Sequence, residues 1–259
     1  MPVQKNIFHY RKLKKPVIFA HRGSSAHAPE NTLAAFRLAV QQHAEAIELD
    51  AKLSADGHVV VMHDNTVDRT TDGIGAVNLL TLDELKKLDA GSKFSHDFRS
   101  EKIPTLAEVF GAIGNRIFIN VELTNYASHT DNLPDKVIKL VKKYGLEKSV
   151  LLSSFNIMTL IRARPLLPRI PIGVLSPRGY AFSVLQSRIL RLGPSVALHP
   201  SFHDVTSELV NTVHHAGSRV HVYTTNSRES MQQMFTAGVD GIFTDDPLLA
   251  QTALAESIS

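Results

Sequence analysis

Residues 16–32 read PVIFAHRGSSAHAPENT, and the choice between two α/β architectures turns on them. The apolar run VIFA has the length of a buried strand. It stops abruptly at His21, Arg22 and Gly23. Pro29-Glu30-Asn31-Thr32 then leads into TLAAFRLAVQQHA, whose apolar residues recur at helical spacing. Asn31 or Thr32 is the expected helix cap, and Gly23 the expected site of a sharp turn close to a ligand. Strand, polar turn and helix make half of a βαβ unit. A doubly wound open sheet usually places a glycine-rich phosphate loop at this turn. HRGSS holds one glycine, so a barrel is the stronger reading.

The same rhythm repeats outward from this stretch. Further β-rich runs lie at 45–50, 116–123, 149–155, 170–176, 195–200, 219–226 and 240–245. Helical patterns separate them, among them PDKVIKLVKKYG, SELVNTVHHAG and ESMQQMFTAG, each ending at a glycine suited to a helix C-terminus. Eight strands alternating with helices predict right-handed parallel crossovers. Eight such units in about 250 residues predict a (β/α)₈ TIM barrel. The chain, residues 1–259, reads as a single domain. One gap is longer than the rest. After Asp56-Gly57, a hairpin signal, HVVVMHD (58–64) is an extra β-like run, followed by polar turns and the short capped helix TLDELKKLDAG. Residues 64 to about 104 are therefore expected as a small inserted segment between the second and third barrel strands, on the face where barrel chemistry gathers.

Composition narrows the function. Of 259 residues, 43% are hydrophobic and 20% charged, ordinary for a soluble globular chain. A net charge of +3 gives no reason to expect nucleic acid as a partner. The basic cluster from Arg11 to Lys15 reads as a solvated face. There is no cysteine, which excludes thiolate and disulfide chemistry. No apolar run reaches the length of a membrane span, and the first residues do not read as a secretion signal. A cytoplasmic location is the simple expectation. No motif specifies an oligomeric state.

In this fold chemistry collects where strands end. Glu48 and Asp50 sit at i and i+2 of the second strand and so share one face. Glu122 ends the third. Three inward carboxylates would each cost on the order of several kcal/mol if left unpaired in a dry site. A divalent cation resolves that cost, and an all-oxygen set suits Mg²⁺, Ca²⁺ or Mn²⁺ better than Zn²⁺. The bland alternative is that arginines pair with the acids. His21 and His63 flank the cluster. Two imidazoles beside a metal suit phosphate-ester cleavage, one accepting a proton from the attacking hydroxyl and one donating to the leaving alcohol. Arg22 can fork onto a phosphate oxygen. Asp64 either orients His63 or caps a turn, and Glu30 either charges the helix start or lines the site. His27, His43, His58, His129, His214 and His215 read as surface residues.

These fragments together resemble the glycerophosphodiester phosphodiesterases over roughly residues 16 to 252. HRG with its five-residue loop SSAHA and PENT looks like the family's first block. IELDAKLSADGHVVVMHDNTVDRTTDG is similar to its second, NVEL (120–123) to the segment with its third acid, and GVDGIFTDDP to its last strand and turn. The resemblance implies hydrolysis of a small-molecule glycerophosphodiester to an alcohol and glycerol 3-phosphate. It makes His21 and His63 the acid–base pair, Glu48, Asp50 and Glu122 the metal ligands, and Arg22 a phosphate contact. Phe155 and Tyr223, at the ends of the fourth and seventh strands, are the expected aromatic substrate contacts. Two positions depart from the family pattern. Thr124 stands where many members have lysine, and Tyr223 stands where tryptophan is frequent. A lysophospholipase D-like hydrolase is the runner-up, with 176–194 as a possible greasy rim or an ordinary barrel helix. An inactive ligand-binding barrel is the remaining alternative.

Overall fold

The structure, a computed structural model, describes residues 10–125, 128, 130–179 and 196–258. Residues 180–194 of the suggested rim, with Val184, Leu185, Ile189 and Leu192, lie outside the described residues, as does His129.

Eight parallel strands close into a barrel: β1 (Val17–Ala20), β2 (Ala46–Leu53), β4 (Phe118–Leu123), β5 (Val150–Ser154), β6 (Ile172–Ser176), β7 (Val196–Pro200), β8 (Arg219–Val222) and β9 (Gly241–Thr244). Closure is made by β1, which pairs with β9 on one side and β2 on the other. The extra strand β3 (Val59–Val61) runs antiparallel to β2 as the hairpin partner that Asp56-Gly57 predicts. The described helices are α1 (Leu33–Gln41), α2 (Leu82–Lys87), α3 (Leu106–Ile113), α4 (Leu133–Tyr144), α5 (Ile157–Leu166), α6 (Ser207–His215), α7 (Arg228–Thr236) and α8 (Pro247–Ile258).

The period-2 pattern of β2 sets the two surfaces of the wall. Ile47, Leu49 and Ala51 join the core under the helices. Alternate residues of the other strands, Phe19, Phe118, Leu151, Ala197 and Phe243, fill the barrel with Tyr10 packed among them. Two imidazoles share this interior. His199 and His221 are fully buried, and His221 Nδ1 lies 3.2 Å from His199 Nε2. Room for His199 comes from the facing strand, because a Cβ on Gly173 would stand 2.2 Å from the ring.

One local expectation changes and two are sharpened. β2 runs to Leu53, past its expected end at Asp50, because the hairpin to β3 carries the ladder onward. Thr32 alone caps α1, accepting from Ala35 N–H. Gly23, at φ +85°, makes the expected sharp turn, and packing against α1 also demands glycine there, since a Cβ would meet Ala35 at 2.7 Å.

The insertion packs a small core of its own around Val60, Met62, Val67, Val77, Leu85 and Ile103. Its helix α2 opens with a reciprocal Thr81–Glu84 capping box, as its sequence predicts. It also contains single helical turns at Val77–Leu79 and His96–Phe98.

Candidate active site

Strand register brings the three acids together. Asp50 of β2 is directly opposite Glu122 of β4, and Glu48 lies two residues down the same face. One oxygen from each falls within 4.8 Å of the others. Glu48 and Asp50 are each 2% exposed. Burial first, and then the charges of Asp50 and Glu122, push the Glu48 carboxyl well above the usual range. Glu48 Oε2 accepts the Arg22 backbone N–H at 3.0 Å, while its buried Oε1 has no hydrogen-bond partner. A buried unpartnered carboxylate oxygen beside two further acids is the environment a hard divalent cation fits. Asp50 is fixed by Asn31, whose side-chain amide donates to Oδ2 at 2.8 Å. Arg22 and Asn31 reach these contacts from left-handed backbone, at φ 56° and 58°, a conformation that costs non-glycine residues energy and clusters at working sites.

Each candidate histidine is held by a carboxylate. His21 Nδ1 lies 2.7 Å from Asp245 Oδ1, and His63 Nδ1 lies 2.6 Å from Asp64 Oδ1. An ionised carboxylate only accepts, so Nδ1 carries the hydrogen in both rings and Nε2 is left for other partners. His21 Nε2 is 4.0 Å from Glu48 Oε2. Burial raises the Asp245 carboxyl, but hydrogen bonds from His21, Ser25 and Asn226 outweigh it and the net shift is downward. Asp64 is held far below its usual range, chiefly by Arg69.

Arg69 links the two halves of the site. It donates to both Asp64 oxygens, at 2.7 and 3.1 Å, and to both Glu30 oxygens at 2.7 Å. Glu30 also accepts from Arg22 Nη1 at 3.0 Å. The network Arg22–Glu30–Arg69–Asp64 therefore reaches His63 and resolves both open readings from the sequence. Glu30 supports the site, and Asp64 orients His63.

A cavity of about 300 Å³ is lined by His21, Arg22, Glu48, Asp50, His63, Glu122, Phe155 and Tyr223 together. All eight residues singled out in the sequence thus meet at one place. The Phe155 and Tyr223 rings meet edge to face, with centroids 5.8 Å apart. Tyr223 Oη donates to the Ser176 carbonyl at 2.6 Å. Burial, then Glu122 and Asp204, raise the phenol, so it stays neutral. Thr124 lies beside a cation from the neighbouring strand, for Lys52 Nζ donates to Thr124 Oγ1 at 2.9 Å. His27 is not among the residues lining this cavity and pairs with Asp246 at 3.2 Å.

Lys52, Asp245, Arg69 and Asn31 are site residues that the sequence reading did not select. Asp245 carried a local signal as the end of the run 240–245, and so did Lys52. It continues the inward i, i+2 series of Glu48 and Asp50 once β2 is allowed to run on.

Comparison with known proteins shows the family. The model of the glycerophosphoryl diester phosphodiesterase family matches residues 21–249. A glycerophosphodiester phosphodiesterase of Caldanaerobacter subterraneus subsp. tengcongensis is 43% identical, over 90% of this chain and 95% of that protein. One from Bacillus altitudinis is 36% identical, over 89% of this chain and 94% of that protein. Among solved structures, an Oleispira antarctica phosphodiesterase in complex with the product sn-glycerol-3-phosphate superposes with a TM-score of 0.85 and 34% identity, covering 93% of this chain and 97% of that one. The chain belongs to the glycerophosphoryl diester phosphodiesterase family of enzymes.

Proposed function

We propose that the protein hydrolyses glycerophosphodiesters to an alcohol and sn-glycerol 3-phosphate, with a divalent cation held by Glu48, Asp50 and Glu122 and with His21 and His63 as the acid–base pair. One observation carries the reading: two carboxylate-held imidazoles and a buried three-acid cluster line the same cavity. When bound, the cation would neutralise phosphoryl oxygens and lower the pKa of a hydroxyl placed on it.

The residues of the chain divide the remaining work. Arg22, kept in place by Glu30, faces the phosphate oxygens. One imidazole takes the proton from the glycerol hydroxyl next to the ester as that oxygen attacks phosphorus. The other gives its proton to the alcohol oxygen as the P–O bond breaks. A five-membered cyclic phosphate results. Water then opens it, with the two rings exchanging roles, and both return to their starting states. No protein nucleophile is needed. Asp245 and Asp64 hold the rings in the tautomer that leaves Nε2 toward the reacting oxygens. Phe155 and Tyr223 supply an apolar wall.

The test is hydrolysis of glycerophosphocholine with chelator present, then with Mg²⁺, Ca²⁺ or Mn²⁺ restored. The expected outcome is loss and recovery of turnover. An unchanged rate in chelator would overturn the three-acid assignment.

A second reading, release of the head group from lysophospholipids, draws support from the insertion. Ile74 and Leu79 stand 84% and 76% exposed there, as apolar residues that meet a lipid surface do. Assaying a lysophospholipid beside glycerophosphocholine separates the two.

A further inference from the structure

The two rim histidines are anchored in different ways. A proton-transfer ring must keep its aim to about half an ångström. His21 does so through Asp245, both of whose oxygens are tied to the barrel. The Ser25 hydroxyl, from the turn after β1, donates to Oδ1 at 3.1 Å, and the Asn226 amide, from the turn after β8, donates to Oδ2 at 2.6 Å. His63 stands on the insertion, just past β3. Its side-chain partner among the described residues is Asp64, the next residue in the chain. A sequence neighbour moves with the ring. Asp64 therefore sets the tautomer of His63 without fixing the ring over the barrel.

The fixed point is Arg69. Its guanidinium sends one fork to Asp64, through Nε and Nη2, and a second to Glu30, through Nη1 and Nη2. Four of its five N–H groups are used in this way. Glu30 belongs to the turn before α1 and holds Arg22. Among the described residues, no other side-chain hydrogen bond or ion pair joins His63 or Asp64 to that turn. A single exposed ion pair contributes little, but two bidentate forks on one planar group fix direction as well as distance. Arg69 is 48% exposed, so the fold does not depend on burying it. It is not among the residues lining the reaction cavity.

We propose that Arg69 is the positioning residue for His63. It ties the ring carried by the insertion to Glu30 and so to Arg22, and holds the acid–base ring and the phosphate contact at one spacing. The proposal deepens the phosphodiesterase reading above and rests on it. Arg69 touches no reacting atom, so its effect on rate passes through His63 and its effect on substrate binding through Arg22. Lysine cannot replace it, because one ammonium lacks the planar double fork.

The test is turnover of glycerophosphocholine, with the activating cation present, for Arg69→Gln made in the unmodified chain and again in the His63→Ala chain. In the unmodified chain, kcat is expected to fall about tenfold, as a misaimed ring would cause, while the denaturant-unfolding midpoint stays near that of the parent. KM is expected to rise about threefold through the loosened Arg22. In the His63→Ala chain the same change is expected to move kcat by less than about twofold, because no ring remains to be aimed, while the KM effect persists. Arg69→Lys is expected to lose about fivefold in kcat, and it carries the same comparison if Arg69→Gln does not fold. An equal fractional loss of kcat with and without His63 would overturn the proposal, as would an undiminished kcat in Arg69→Gln. Normal turnover in His63→Ala alone would overturn the acid–base reading instead, and failure to hydrolyse the ester with any cation would overturn the phosphodiesterase reading.

Discussion

Two pairs of histidines share this barrel and live under opposite rules. His21 and His63 stand at the rim, each with a carboxylate on Nδ1. His199 and His221 stand inside, with one nitrogen of each turned toward the other ring and with His199 Nδ1 and His221 Nε2 unpartnered. The rim rings have a counter-charge for an added proton. The inner rings have none, and burial drives His199 down to about 3 and His221 well below its usual value as well. Position along a strand does not separate the pairs, since His199 also lines the reaction cavity. The partner does. An imidazole with a carboxylate can carry a proton through a reaction, and one without it serves as a neutral packing ring.

The sharpest way to break this contrast is to delete the rim rings. His21→Ala and His63→Ala are each expected to lower kcat by about 10²-fold or more, measured with glycerophosphocholine. Near-normal turnover in either would remove that ring from the chemistry. Taking away the partner and keeping the ring should cost less. Asp245→Asn is expected to lower kcat by about tenfold and to displace the pH–rate profile, because the amide can present a donor to Nδ1 and favour the other tautomer. A drop without any change in the pH profile would point to a structural role.

The inner pair is probed by stability. Gly173→Ala places a methyl group against the His199 ring and is expected to destabilise the fold by about 1–3 kcal/mol, read by denaturant unfolding. The same pair shapes the acid limb. Burial pushes the folded His199 imidazole from its ordinary 6.5 down to about 3, so between these values the unfolded chain binds the extra proton. Stability is therefore complete above pH 6.5 and falls as pH drops toward 3, by up to about 1.4 kcal/mol per pH unit for this ring. His199→Gln should flatten that slope. An unchanged slope would show that His199 is not buried neutral.

The sequence carried the barrel well because its signal is periodic: alternating strands and helices, with inward and outward residues set by the period of two. Glu48, Asp50 and Glu122 were legible for the same reason, as polar residues on faces that should be apolar. What stayed hidden was pairing across distance. Asp245 reaches His21 over 224 residues and Arg69 reaches Glu30 over 39, and nothing local in either segment names its partner. Lys52 was missed because Ala51-Lys52-Leu53 does not read as strand on its own. It is strand because Val59–Val61 pairs with it.

The seam between β1 and β9 has a consequence for the life of the chain. His21 comes from the first barrel strand and Asp245 from the turn after the last, and β9 pairs with β1 along its whole length. On the proposed mechanism, the His21 ring is thus oriented by the turn that follows the last barrel strand. A nascent chain that has already built its acid cluster has no Asp245 to hold His21 until the last strand emerges and docks. On the proposed mechanism, turnover then requires the circle to be complete, and a chain lacking its last barrel strand lacks a properly aimed His21 even where its acids are in place.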